Sequence, residues 1–237
     1  MAIARSAVVA ALIGALAVGA AARAGDDWDT DCTTDAGSFP FSAQPVAIAG
    51  FLGSIRGCLS SGPLAGADFE DMYVIQIVDP AGFSAQTVAP NSTFNTQLWL
   101  FSIDGTGLLA NDDVSVGDPL SRLLPMSNDG SGAQVSVPGN YLLAITGFNN
   151  DPSSDEGPIF NVPDQTEISG PDGPGGLSPI TAWNEFGETG DYLIVLTGCA
   201  GVGAPTSVPL MSTPVTAALI GAFVVGGGML LRRRAIA

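Results

Sequence analysis

Short segments in which apolar and polar residues alternate predict β-strands in the middle of the chain. Residues 72–78 read MYVIQIV, so the tyrosine and both isoleucines share one face of an extended strand. Residues 96–103 read TQLWLFSI and group Trp99, Phe101 and Ile103 on one face in the same way. The body of the chain shows no sustained 3.6-residue repeat of the kind that marks a helix. The pattern therefore predicts an all-β fold.

Turn signals separate these segments. Asp104-Gly105 is typical of a tight hairpin turn, and it leads into a second apolar segment at residues 108–110. Further short strands are expected at residues 45–51, 54–59 and 133–137. Several short strands with turns at this spacing favour an antiparallel β-sandwich of the jelly-roll kind, and we assign it to residues 45–200.

Two segments of the chain echo each other. Residues 139–147 read GNYLLAITG and residues 190–198 read GDYLIVLTG. In both, the tyrosine and the aliphatic residues two and four positions later share one face. Nothing that flanks the pair repeats, so we interpret them as two core strands of one sheet rather than as a duplication.

Residues 148–187 form an unusually long connection. They hold six prolines and as many glycines, and about forty residues exceed the usual length of a link between two strands. Such a segment is either functional or merely variable. We expect it to be the main contact surface, and we expect deletion of residues 153–179 to leave the fold nearly intact.

The N-terminal end predicts export. Arg5, an apolar stretch over residues 7–22 and the sequence Ala22-Arg23-Ala24 are typical of a secretory signal peptide at residues 1–24. An uncleaved N-terminal anchor is the alternative. Residues 25–44 follow as an acidic N-terminal segment, and the body of the protein is expected outside the cytoplasm.

The C-terminal end predicts a membrane anchor. After a linker at residues 201–214, residues 215–231 are apolar and uncharged, and three arginines open a basic tail at residues 232–237. This length is at the lower limit for a transmembrane helix, and the arginines favour a cytoplasmic tail. A buried core helix is the alternative. The tail, with Val208-Pro209 before it, resembles sorting signals of the PEP-CTERM type, although Leu210-Met211 replaces the Glu-Pro of that motif. The resemblance implies sorting and anchoring, and it leaves open whether a tail-processing enzyme is a partner.

Composition excludes several functions. The 237 residues include no histidine and no lysine, so the chain has no histidine base or metal ligand and no Schiff-base or P-loop lysine. A net charge of −16 is unfavourable for binding nucleic acid. Between the two ends, only Arg56 and Arg122 stand against 23 acidic residues. Such a body attracts divalent cations such as Ca²⁺, although a solvated acidic surface without an ion is the plainer interpretation.

The cysteines allow one disulfide. Cys32, Cys58 and Cys199 are present, and export makes a disulfide plausible. We favour Cys32–Cys58, which would tie the N-terminal segment to an early strand, and Cys58–Cys199 is the alternative. A catalytic cysteine is not expected, because no histidine exists to activate it.

Four motifs of the middle segment occur together in a known family. They are Glu70-Asp71-Met72-Tyr73, the stretch TQLWLFSIDG at residues 96–105, the stretch ANDD at residues 110–113, and the pattern G-x-Y-x-L-x-I-x-G from residue 139. They resemble an exported bacterial β-sandwich family related to the pre-peptidase C-terminal domains, over roughly residues 45–199. Asn95 and Ser102 depart from the family, where acids are common. The resemblance implies a non-catalytic β-sandwich that aids secretion, adhesion or binding.

The resemblance also implies a calcium site. It places the ligands at Asp104 and in the turn formed by Asn111, Asp112 and Asp113. Carboxylate and amide oxygens are the ligands that Ca²⁺ takes. Asn and Asp are also ordinary turn formers, so a turn without a metal is the alternative. A second carboxylate cluster is expected from Asp68, Glu70 and Asp71.

The sequence thus predicts a non-enzymatic, membrane- or surface-anchored β-sandwich with a structural, adhesive or secretion-related role and no catalytic residues. A calcium-dependent carbohydrate- or matrix-binding module is the alternative, with an extracellular polysaccharide or protein as its partner. A glycan hydrolase that uses two carboxylates is less favoured, because three tryptophans and three tyrosines leave few rings to stack sugars.

Overall fold

Strands account for nearly all regular structure in the described part of the chain. The computed structural model describes residues 24–27, 32, 34–62, 67–162 and 164–203. Among these residues the helical element is a single 3-10 turn at Pro80–Gly82. No helix of the described part is long and apolar enough to cross a membrane. The predicted signal peptide up to residue 23, the apolar segment 215–231 and the basic tail lie outside the described residues.

The strands are numbered in chain order. They are β1 Ala24–Asp27, β2 Gln44–Pro45, β3 Phe51–Leu59, β4 Glu70–Ile77, β5 Ser84–Thr87, β6 Thr96–Ser102, β7 Gly107–Asn111, β8 Arg122–Leu123, β9 Gly139–Gly147, β10 Pro152–Ser154, β11 Gly157–Pro158, β12 Ala182–Trp183 and β13 Gly190–Ala200. Ten of them belong to one large sheet, and β10, β11 and β12 form a small sheet inside the long connection.

The large sheet curls back on itself as a near-barrel. Its main path runs β1-β3-β13-β4-β9-β6-β7, and neighbours along it are antiparallel except for β1 and β3. The long strand β13 drives the curvature, because it pairs with β3, with β5 at residues 194–197 and with β4 at residues 199–200. β5 in turn pairs with β8. The predicted all-β, antiparallel class is confirmed in this form.

The two echoing segments are β9 and β13. They lie in the same sheet on either side of β4, as two core strands should. The strand predicted at residues 133–137 is wrong, however. There the chain makes only an isolated bridge between Met126 and Gln134, with two backbone hydrogen bonds to residues 125–127, and Val137 beyond the bridge is exposed.

The interior of the near-barrel is the main core. Tyr73, Ile75 and Ile77 point into it from β4, as their alternation predicts. Leu98 and Leu100 reach it from β6. All five side chains are fully buried, and burying a large aliphatic side chain stabilises the fold by about 1.5–3 kcal/mol.

A second core lies on the outer face of β6. Trp99 and Phe101 pack there against Phe160 and Trp183, with ring centroids 5.5–6.2 Å apart. The latter two rings belong to the long connection 148–187, which therefore covers the sheet as an additional layer. The connection supplies part of the buried core, which argues against the expectation that deletion of residues 153–179 leaves the fold nearly intact.

The disulfide joins Cys32 to Cys58 across 26 residues, with the two Cα atoms 5.2 Å apart. This is the favoured pairing of the sequence analysis. Cys199 is buried and lies outside the disulfide. The bond ties the segment after β1 to β3, at the edge of the sheet.

A buried hydrogen-bond network links β4 to β13 through the main core. The Tyr192 hydroxyl donates to Asp71 Oδ2 at 2.5 Å and lies 2.6 Å from the Tyr73 hydroxyl. The Ala36 N–H donates to Asp71 Oδ1 at 3.0 Å. Gly57 makes room for the network, since a Cβ at that position would lie 2.2 Å from the Tyr192 hydroxyl oxygen. Buried polar groups that are fully hydrogen bonded fix one arrangement of a core.

Candidate functional site

A pocket of about 430 Å³ opens where the long connection meets the N-terminal end of β6. Gln97 and Trp99 form its floor, because residues two apart on a strand share a face. Asp112 joins them from the turn after β7, since Leu98 pairs with Asn111 and the next residue falls beside Gln97. The volume lies within the range of small-ligand sites.

The turn between β9 and β10 forms one wall. Phe148, Asn149 and Asp151 line the pocket from this turn. The turn is anchored by Asn150, whose buried amide donates to Phe69 O and to Glu70 Oε2. Asn150 Oδ1 also accepts from the Glu185 N–H at 2.9 Å, which ties the turn to the end of the long connection.

The long connection forms the opposite wall. Phe160 serves the pocket and the second core at once, whereas Asn161 and Gln165 bring exposed amides to the rim. Proline and valine complete the wall at Pro158 and Val162. The pocket therefore combines aromatic rings, carboxylates and side-chain amides, which are the groups of a site for a polar ligand with an apolar face.

A chain of hydrogen bonds holds Asp151 in the pocket. Trp99 Nε1 donates to Thr146 Oγ1 at 2.9 Å, and Thr146 Oγ1 donates to Gln97 Oε1 at 3.5 Å. Gln97 Nε2 then donates to Asp151 Oδ1 at 3.3 Å. Because Gln97 presents its oxygen to Thr146, its amide nitrogen faces the carboxylate.

The pocket carries uncompensated negative charge. Burial, followed by the charges of Asp113 and Asp151, raises the pKa of Asp112 from 3.8 to about 7. Burial also raises the pKa of Asp151, against the lowering effect of the Gln97 hydrogen bond. None of the described residues that line the pocket is basic. Both carboxyl groups are therefore held in surroundings that favour a bound positive charge or a bound proton.

Asp112 and its neighbour Asp113 contain unsatisfied oxygens. Asp112 accepts a hydrogen bond from Gln165, yet its Oδ1 is buried without a hydrogen-bond partner, and so is Oδ1 of Asp113. The two residues are 5% and 8% exposed. A buried carboxylate oxygen without a partner is unfavourable, and such atoms mark places where a ligand, an ion or water completes the structure.

The four residues predicted to bind calcium do not come together. Asp104 sits in the β6–β7 turn, where it accepts from Ser102 Oγ and from the Thr106 N–H, and these bonds lower its pKa. Asn111, Asp112 and Asp113 lie at the opposite end of β7. One ion held by all four residues is therefore excluded by the length of the strand.

Asn111 has a structural role in this turn. Its Nδ2 donates to the carbonyl oxygens of Asp113 and Glu167, and its Oδ1 accepts from the Arg122 N–H at 2.6 Å. The side chain thus joins the end of β7 to β8 and to the long connection. Of the predicted set, Asp112 alone lines the pocket.

The second predicted carboxylate cluster is rearranged. Asp68 and Asp71 do meet, and Asp35 joins them, so that carboxylate oxygens of the three residues lie within 4.8 Å of one another. Glu70 points to the other side of β4 and bonds Asn150, and burial raises its pKa. Asp35, Asp68 and Asp71 are thus the described carboxylates best placed to hold a metal ion.

Sequence reasoning missed most of the pocket. Asp151, Gln97 and Phe148 stand in no motif that signals binding. The available signal was the polar run Asn149-Asn150-Asp151 directly after a strong strand, since polar residues at strand ends often carry function. Its meeting with Asp112 depends on sheet order, which alternation does not reveal.

Comparisons of the chain with protein-family models, with curated proteins and with solved structures found no match. The resemblances to pre-peptidase C-terminal domains and to PEP-CTERM sorting signals therefore stay predictions. The pocket and the chemistry of the chain remain as indications of function.

Proposed function

We propose that the chain is an exported, non-enzymatic β-sandwich domain that is anchored at the membrane or cell surface and binds an extracellular partner through the pocket. The observation that carries the proposal is the pocket beside β6, with its aromatic walls, amide rim and two carboxylates. The signal-like N-terminus and the apolar, arginine-tipped C-terminus supply the argument for export and anchoring. An adhesive or structural role follows from this combination.

The test has a localisation arm and a binding arm. Protease treatment of intact cells that express the full chain should degrade the body while cytosolic markers survive. Immobilised protein should retain surface material from the same cells, and Phe148→Ala should weaken this retention relative to Phe41→Ala, which changes an exposed ring outside the pocket. A protected body in the cytosolic fraction would refute export, and equal retention by both variants would refute binding through the pocket.

A calcium-dependent form of the same role has one observation in its favour. The carboxylate oxygens of Asp35, Asp68 and Asp71 lie within 4.8 Å of one another, and Ca²⁺ takes such oxygens. Calcium should then raise the melting temperature of the protein, and Asp68→Asn should reduce that rise while Asp155→Asn does not. An unchanged melting temperature with calcium removes this candidate.

A further inference from the structure

We propose that the pocket binds the protonated amino group of an amino-sugar unit, held beside the carboxylates of Asp112 and Asp151. The inference rests on the proposed binding function and deepens it by naming the chemical class of the ligand. It follows from three features of the pocket: its uncompensated charge, its aromatic walls and its amide rim.

The charge calls for a cation from outside the protein. Two carboxylates line the pocket, and no described residue in its lining is basic. The body has only Arg56 and Arg122 as basic residues, and neither lines the pocket. Because a buried ionised carboxylate is stable only when it is paired, a positively charged ligand group would be stabilised here. Asp112 Oδ1 is also buried without a hydrogen-bond partner, so no donor of the described residues offsets its charge.

The aromatic walls favour an organic cation over a metal ion. Trp99, Phe148 and Phe160 line the pocket. Trp99 and Phe160 are almost fully buried, so Phe148 is the ring that a ligand meets. A metal ion such as Ca²⁺ requires six to eight oxygens and gains little from rings. An ammonium group is attracted to ring faces, and the carbon skeleton that carries it can pack on them. The volume of about 430 Å³ also exceeds what a single ion needs.

The amide rim favours a sugar as the carrier of that amino group. Asn149, Asn161 and Gln165 are exposed at the pocket, and each amide offers donors and an acceptor. The hydroxyl groups of a sugar ring can use these amides while one face of the ring packs on Phe148. A lysine side chain of a partner protein would satisfy the carboxylates but would leave the rim unused.

Calorimetric titration of the purified full-length protein tests the proposal with simple probes. D-glucosamine at about neutral pH should bind at least about tenfold more tightly than D-glucose or N-acetyl-D-glucosamine, which lack the charge. Equal binding of the three sugars would overturn the role of the charge. If Nα-acetyl-lysine amide, which keeps its ε-ammonium group, binds as tightly as glucosamine, the assignment of a sugar as the carrier of the amino group is overturned. If calcium chloride displaces glucosamine from the pocket, the preference for an organic cation over a metal ion is overturned. A protein that binds none of these probes also contradicts the proposal.

Variants locate the binding in the pocket. Asp112→Asn and Asp151→Asn should each weaken glucosamine binding by about tenfold or more, whereas Asp155→Asn, in the exposed turn after β10, should not. Melting curves confirm that each variant is folded, and Asp151→Glu provides a second, charge-conserving variant that should bind better than Asp151→Asn. Glucosamine binding that survives both Asn variants would refute the assignment. If glucosamine does not bind but Phe148→Ala still weakens retention of surface material, this inference fails and the proposed function stands.

Discussion

Replacement of Asp112 by asparagine is expected to stabilise the protein at about pH 8 and to leave its stability unchanged at about pH 4. Asparagine has nearly the same shape and keeps an oxygen for the hydrogen bond from Gln165, but it carries no charge. The variant therefore removes an uncompensated carboxylate and little else.

The magnitude follows from the pKa of Asp112, which is raised from 3.8 to about 7 by burial and by the nearby charges of Asp113 and Asp151. Between these values the folded protein still holds a proton that the unfolded chain has released, so the free energy of unfolding falls as the pH rises. At about 1.4 kcal/mol for each pKa unit, the full effect is about 4 kcal/mol. Because Asp112 borders an open pocket, water screens part of the charge, and we expect about 2 kcal/mol.

Urea unfolding followed by the fluorescence of the buried Trp99 and Trp183 measures this effect. Wild type, Asp112→Asn and the exposed control Asp155→Asn are compared at about pH 4 and about pH 8. The gain from Asp112→Asn should be close to zero at the lower pH and about 2 kcal/mol at the higher pH. The same gain at both pH values, or a loss at the higher one, would refute the argument that the Asp112 charge is uncompensated.

Three further predictions concern the fold. Tyr192→Phe should lower the free energy of unfolding by about 2–3 kcal/mol, because it removes a hydrogen-bond donor from the buried carboxylate of Asp71. The control Tyr141→Phe, at a half-buried site, should lower it by at most about 1 kcal/mol, and similar urea curves for the two variants would contradict this. Gly147→Ala should destabilise the fold by about 3 kcal/mol or more, because the new Cβ would lie 1.9 Å from the backbone oxygen of Glu188. Gly139→Ala is the control, since its Cβ would lie 3.9 Å from the nearest atom, and equal melting temperatures of the two variants would exclude the clash. Deletion of residues 153–179 should abolish cooperative unfolding in calorimetry, because loss of the buried Phe160 side chain alone lowers the free energy of unfolding by about 3–5 kcal/mol. A deletion variant with a sharp, native-like transition would show that the fold does not need this part of the long connection.

Alternation along the chain was sufficient to predict two central strands of the large sheet, β4 and β6. β4 and β6 lie within two residues of the predicted segments, because both combine a strict period of two with β-favouring side chains. The number of cysteines and the expected export predicted a single disulfide, and of the two pairings left open the favoured one, Cys32–Cys58, is present. The match between β9 and β13 correctly placed two core strands in one sheet.

The same alternation could not reveal which strands are buried on both faces. Trp99 and Leu98 point to opposite sides of β6, and both are buried because a distant connection covers the outer side. The prolines and glycines of that connection indicated a loop, although Ile159, Phe160 and Trp183 within it pack as core residues. Isolated apolar residues among turn formers carry no periodic signal, so their burial depends on tertiary structure alone.

The candidate site was predicted in part. The turn at Asp112 was singled out by resemblance, but Asp104 was wrongly grouped with it, because sequence proximity across a hairpin does not imply proximity in space. Asp151 and Gln97 come from two other strand ends, and their meeting with Asp112 depends on the neighbour relation of β6 and β9. That relation brings residues about fifty positions apart into contact, and no local pattern encodes it.

Phe160 belongs both to the aromatic packing under the long connection and to the wall of the pocket. A substitution of Phe160 that alters ligand recognition therefore also weakens the packing of the long connection on the sheet. Ligand specificity and the stability of the fold cannot be changed independently at this position. The reverse coupling is useful in practice. A molecule that fills the pocket should reinforce the layer and delay its opening, so libraries of candidate ligands can be ranked by thermal shift without any knowledge of the biological partner.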